Sequence, residues 1–239
     1  LIKPLNRFII IFIEKRETVL ENTAEAKIEI KNKAGRLCFI GVALGESGSA
    51  ETGIAILDKN LNLLRVDKAY NLSDLKSNFA HIAPPQSVIA CVSMPRNVMM
   101  LNGKWRIESK NTKSLKLGNF ETEKYAWTQR FSDRGSELCR NFIEEGMEVF
   151  RYNCYHTQTS LQITPPYRSR TPAACKYLQM VLENKLKISG MPTNLIPLPA
   201  MNAIIGAYIA WKTVVGEEDT DFQQIGVHKN IPVITAISV

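Results

Sequence analysis

The sequence predicts an α/β protein built on a mixed sheet, and three observations predict it. A continuous apolar run from Leu37 to Val42 is followed by two more strand-length segments set off by turn residues. A second apolar run, Val88 to Val92, offers no polar face and so belongs at the centre of a sheet covered on both sides. Segments of helical length, with apolar residues three and four apart, lie between and after these runs.

Taken in order, Gly45, Gly48 and Ser49 mark the turn after the first run, and Thr52 to Leu57 alternates into a second strand. Asp58-Lys59-Asn60 is a hairpin-type turn, and Leu61 to Val66 returns as a third strand, completing a β-meander. Asn71 or Ser73 can cap a helix to about His81, with Leu72, Leu75 and Phe79 on one face, until Pro84-Pro85 stops it. Val88 to Val92 is then a central strand, expected parallel to the first. Met94 to Glu123 reads as irregular and belongs to an insertion near 96–130. A helix is predicted from its cap Ser132 to Glu145, burying Leu138, Phe142 and Ile143, with Met147 to Tyr152 as a fifth strand. Pro172 to Leu186 is the next helix. Pro192, Pro197 and Pro199 enforce a loop, and Met201 to Val215 is a long apolar helix ending at Gly216.

The segment before this core differs from it. Phe8 to Ile13 is a short apolar run, far below the roughly 20 residues of a membrane span and without a following small-residue cleavage site. Glu14 to Gly35 is dense in charge and reads as a helical arm, an extra strand pair or a poorly ordered extension. The expected organisation is an extension over residues 1–36 and one domain over 37–239. Cys38, Cys91, Cys139, Cys154 and Cys175 form no CxxC pair, which argues against a zinc site or a disulfide framework and favours a reducing cytoplasm. Net charge is +7, and between Arg96 and Lys176 fourteen Lys/Arg face eight Asp/Glu. That surplus suits a polyanionic partner as well as a merely solvated basic surface.

The motifs add a resemblance. Gly41-Val42-Ala43-Leu44-Gly45 followed by Thr52-Gly53-Ile54-Ala55-Ile56-Leu57, then Val92-Ser93-Met94-Pro95, Gly103 and Arg106, then Arg130, Asp133 and Arg134, and last Met201-Asn202-Ala203 occur in that order. The order resembles the ribonuclease-H-like fold, and more narrowly the predicted nucleases of domain-of-unknown-function family 429. The opening strand is also similar to that of Holliday-junction resolvases. The resemblance covers about Leu37 to Ile234 and implies carboxylates from the first strand, the central strand and the last helix converging on two divalent ions. At those positions this chain has Ala43, Ser93 and Asn202. Magnesium and manganese want hard, preferably anionic oxygens. An alanine offers none, and a hydroxyl and an amide are weak substitutes, so no metal or other cofactor is expected.

Several other residues have both a functional and an ordinary reading. Glu46, on the turn after the first strand, and Asp133 with Glu137, four apart on a helix, are the candidate relocated carboxylates, and only with them would Mg or Mn enter. Each also reads as an ordinary surface acid. His81, His156 and His228 lack metal-ligand spacing and read as surface or interface histidines. Ser93 before Pro95 lacks the glycines of a nucleophile elbow.

Lys104-Trp105-Arg106, Tyr125, Trp127, Arg130, Arg134 and Tyr167-Arg168-Ser169-Arg170 interleave cations with flat rings, the composition of a surface that neutralises phosphates and stacks bases. The expectation is a degenerate nuclease-family protein without metal-dependent cleavage, with nucleic acid as its candidate partner and no membrane. The alternatives are an active nuclease using relocated carboxylates, or a protein-interaction scaffold on the same fold.

Overall fold

The computed structural model describes residues 38–45, 51–70, 85–94, 100–101, 104–105, 118–119, 126–168, 170–215, 222–228 and 230–236, with side chains left undescribed between 100 and 132 and between 222 and 227. All of these belong to the unit Arg36–Val239. The expected helix near 71–81, the extension over 1–36, Glu46, His81, Arg106 and Gly216 lie outside the described residues.

The meander forms as expected from β1 (Cys38–Ala43), β2 (Thr52–Asp58) and β3 (Leu63–Ala69), each antiparallel to the next. Asp58 closes the second turn, its Oδ1 accepting from the backbone N–H of Asn60 and of Asn62, each at 2.8 Å. Past that turn the third strand starts and ends later than predicted, because Leu61 turns with a φ of 61° before the chain extends. A short 3-10 turn, Pro85–Ser87, leads into β4 (Val88–Ser93), which is fully buried and parallel to β1. The insertion is less irregular than predicted: β5 (Met100–Leu101) pairs with β6 (Lys104–Trp105), and β7 (Gly118–Asn119) joins the main sheet.

Helix α1 (Ala126–Glu144) begins six residues before the predicted cap, so Ser132 lies inside it. Trp127 and Phe131 continue the spacing that leads through Gly135 to Leu138 and Phe142, and that periodicity overrides the capping preference of one serine. β8 (Glu148–Tyr152) follows, parallel to β4. Next come α2 (Cys154–Ser160), α3 (Pro172–Asn184) and α4 (Leu198–Val215), then β9 (Phe222–His228) and β10 (Ile231–Ala236). Pro199 is the second residue of α4 rather than part of a loop. There its missing N–H would have had no partner in the helix anyway.

The main sheet runs β3-β2-β1-β4-β8-β10-β9-β7. β1, β4, β8 and β10 are parallel, and β2 and β9 run against their neighbours. Strand alternation sends Ile40, Val42, Ala90 and Val92 into one core with Leu138, Cys139 and Phe142 of α1. The opposite face carries α4, which is pressed on the sheet backbone to backbone. A Cβ at Gly41 would lie 1.8 Å from Ala203 O, and one at Gly53 would lie 2.0 Å from Pro199 O. Only glycine permits that approach. α4 is long and apolar enough by composition to cross a membrane, but here it is the central core helix, with ten of its residues buried.

Candidate functional site

The sheet has a switch point between β1 and β4, since the chain winds outward from β1 through β2 and β3 and outward from β4 through β8 and β10. Crevices at the carboxyl ends of parallel strands beside such a point are where open α/β sheets bind ligands. Ala43 and Ser93 are the last residues of β1 and β4, and the register Val42↔Val92 ends these strands side by side. Asn202 stands in α4 next to Ala203, whose carbonyl lies over Gly41. The structure therefore brings together Ala43, Ser93 and Asn202, which the sequence scatters.

The groups at these positions are neutral, and the two polar side chains are hydrogen-bonded to neighbouring residues. Ser93 Oγ accepts from Leu44 N–H at 2.9 Å. Tyr152, opposite Ser93 in β8, donates its hydroxyl to the carbonyl of Asn202 at 2.6 Å. The Asn202 side-chain oxygen accepts from Gln158 Nε2 at 2.7 Å. Ala43 and Ser93 are 3% and 2% exposed, so both are almost wholly withdrawn from solvent. Burial holds the Tyr152 phenol well above its ordinary pKa, with nearby Cys154 and Cys91 adding to the effect, so it stays a neutral donor.

A permanent cation sits against the same point. Arg151 is fully buried, its Nη2 donating to Ser93 O at 3.0 Å and its Nη1 to Ser136 Oγ at 3.4 Å. Gly135 makes room, since a Cβ there would come within 2.6 Å of Nη2. Beside the guanidinium, burial still pushes the Cys139 thiol up to about 11, against the pull of the arginine charge. A methyl, a hydroxyl and an amide do not fit a divalent ion, because the set lacks anionic oxygen. Among the described residues, no group of three or more His, Cys, Asp or Glu could hold a metal.

Asp133 and Glu137 are exposed on α1, which covers the sheet face opposite α4, so they do not join Asn202. Arg134 rides on the same helix. Arg168 and Arg170 are exposed just before α3, which packs on α4, so the two sets of arginines belong to opposite layers. Lys104 and Trp105 lie in β6 and Arg130 in α1, with side chains outside the described residues.

Two histidines depart from the surface or interface role expected of them. His228 is 1% exposed, and His156 is half-buried with Nδ1 2.5 Å from Thr235 Oγ1. Burial lowers the His156 pKa to about 4. The sequence reading missed α2 and the Arg151 clamp. The available signal for α2 was Asn153, whose side chain caps it by accepting from His156 N–H.

No protein-family model matches the chain, and no curated protein matches it. The fold and the site define an α/β domain whose switch point is neutral, buried and buttressed by an arginine.

Proposed function

We propose that this chain is a ribonuclease-H-like domain that has lost metal-dependent cleavage and binds nucleic acid without cutting it. The observation that carries this reading is the switch point itself: Ala43, Ser93 and Asn202 meet there as neutral groups, with the Arg151 guanidinium on the Ser93 carbonyl. The resemblance in sequence requires a meander, a central strand parallel to its first member and a last helix over their ends. The segment β3-β2-β1-β4-β8, crossed by α4, supplies those parts. Net charge supports a polyanionic partner.

The test incubates purified protein with DNA and RNA, single-stranded and duplex, in Mn²⁺, and titrates Mn²⁺ by calorimetry. The expected result is bound but intact nucleic acid, with no metal-binding heat. Turnover that disappears in Glu46→Gln or Asp133→Asn would overturn the proposal in favour of relocated carboxylates. In Ala43→Asp/Ser93→Asp/Asn202→Asp, metal-binding heat absent from the wild type would support the site and its loss.

A further inference from the structure

The basic surplus is not spread evenly over the layers. From Ala126 to Glu148, through α1 and into β8, three arginines (130, 134, 140) face five acids (Asp133, Glu137, Glu144, Glu145, Glu148). From Leu161 to Ala200, around α3, five cations (Arg168, Arg170, Lys176, Lys185, Lys187) face Glu183 alone, and all five cations are exposed. Among the described residues, the α1 segment is net acidic and the α3 segment net basic, so of these two a polyanion is drawn to the α3 side.

The same side carries an exposed aromatic in a fixed setting. Tyr167 is 53% exposed, and its ring meets Tyr177 of α3 edge to face, with centroids 6.3 Å apart and planes at 73°. The turn that bears it is pinned from both directions. Pro165 and Pro166 restrict the backbone before it. After it, the Arg168 carbonyl accepts from Thr171 N–H at 3.3 Å and from Thr171 Oγ1 at 2.8 Å. Thr171 in turn caps α3 by accepting from Ala174 N–H at 3.2 Å. At the far end of α3, Lys185 donates to Leu161 O at 2.7 Å, tying that end to the start of the same loop. Tyr167, Arg168 and Arg170 are thus presented by backbone already held in place, which lowers the ordering cost of binding.

We infer that the α2–α3 loop is a single-strand nucleic-acid platform, on which Tyr167 stacks a base while Arg168 and Arg170 take the flanking phosphates. Single strands are favoured over duplex because an exposed ring needs an unstacked base to pair with, whereas arginines alone do not discriminate. The inference rests on the nucleic-acid part of the proposed function and names the surface and the form bound.

The test is fluorescence anisotropy with labelled oligo(dT) and oligo(U) of about 20 nucleotides and a blunt duplex, across roughly 50–200 mM salt, where phosphate contacts are read from the slope. Tyr167→Ala should weaken single-strand binding roughly 5- to 150-fold, matching about 1–3 kcal/mol per stacked base, while Tyr167→Phe keeps the ring and the affinity. Arg168→Glu/Arg170→Glu should flatten the log–log salt dependence by roughly 1.4, at about 0.7 per phosphate on a single strand. Circular dichroism of each variant identifies any loss caused by unfolding. Tight single-strand binding that none of these variants weakens overturns the platform but leaves the proposed function standing. Failure of the wild type to bind either form overturns both. Duplex bound as tightly as single strand, or poly-glutamate competing as well as oligo(dT), overturns the base-stacking inference alone.

Discussion

The ring of Tyr152 fills the space that a side chain at position 206 would need: a Cβ on Gly206 would lie 2.7 Å from the ring and 2.8 Å from its hydroxyl oxygen. The glycine lets α4 lie close enough for the phenol to reach back to the Asn202 carbonyl one turn earlier. Gly206→Ala should destabilise the domain by about 1–3 kcal/mol through overpacking, read as a lower midpoint in urea with an unchanged slope. Tyr152→Phe should cost about 0.5–1.5 kcal/mol, because it removes one buried hydrogen bond while the Asn202 carbonyl keeps its helical partner. A Gly206→Ala midpoint equal to wild type would mean that α4 can lift off the sheet without penalty.

Gly41 sets a harder limit. There the intruding atoms are backbone, Ala203 O and Ala207 N, which cannot rotate away. Gly41→Ala is expected to exceed the cost of Gly206→Ala and to reduce soluble expression, and comparing the two variants by thermal melting checks that order.

Stability should fall on acidification in a window set by His156. Burial lowers its pKa from 6.5 to about 4 in the folded chain, so the unfolded chain takes up a proton first. The contribution is fully present above pH 6.5, declines as pH drops, and is lost as pH falls through about 4. At about 1.4 kcal/mol per pH unit, the loss approaches roughly 3 kcal/mol. Urea midpoints from pH 7 to 4 should show this slope in the wild type and a shallower one in His156→Gln.

Thiol labelling should separate the cysteines. All five are free, and Cys91 and Cys139 are completely buried, with burial raising both thiols. Cys154 is partly exposed. At pH 8 an aromatic disulfide reagent should modify Cys154 first and reach Cys91 and Cys139 only on unfolding. Early modification of Cys91 would contradict its place in the central strand.

The parts of the fold that could be read in the sequence are those where local pattern and burial agree. Val88 to Val92 has no polar face, and the structure makes it the buried strand parallel to β1. The hairpin at Asp58 follows from a side chain able to bind its own turn. The parts that could not be read depend on distant partners. Thr157, Thr159 and Ser160 are poor helix formers, yet α2 forms because it packs between β10 and α4. Pro232 breaks the apolar run of β10, which pairing with β8 and β9 holds as a strand. At the site, the sequence marks the positions of Ala43, Ser93 and Asn202. Nothing local to Arg151 signals that its guanidinium would meet Ser93, a contact made by the folded sheet.

The backbone seam between α4 and the first two strands has a consequence for how the protein is made. Gly41 and Gly53 leave the ribosome well before Pro199, Ala203 and Ala207, which they must touch. Until α4 appears, the glycine-bearing face of the meander lacks the helix that covers it, so this face cannot close before α4 is made. Contacts this distant in sequence slow folding and lengthen the time apolar surface stays open. A nascent chain stalled before Leu198 should therefore be bound by chaperones, and release should follow the addition of α4.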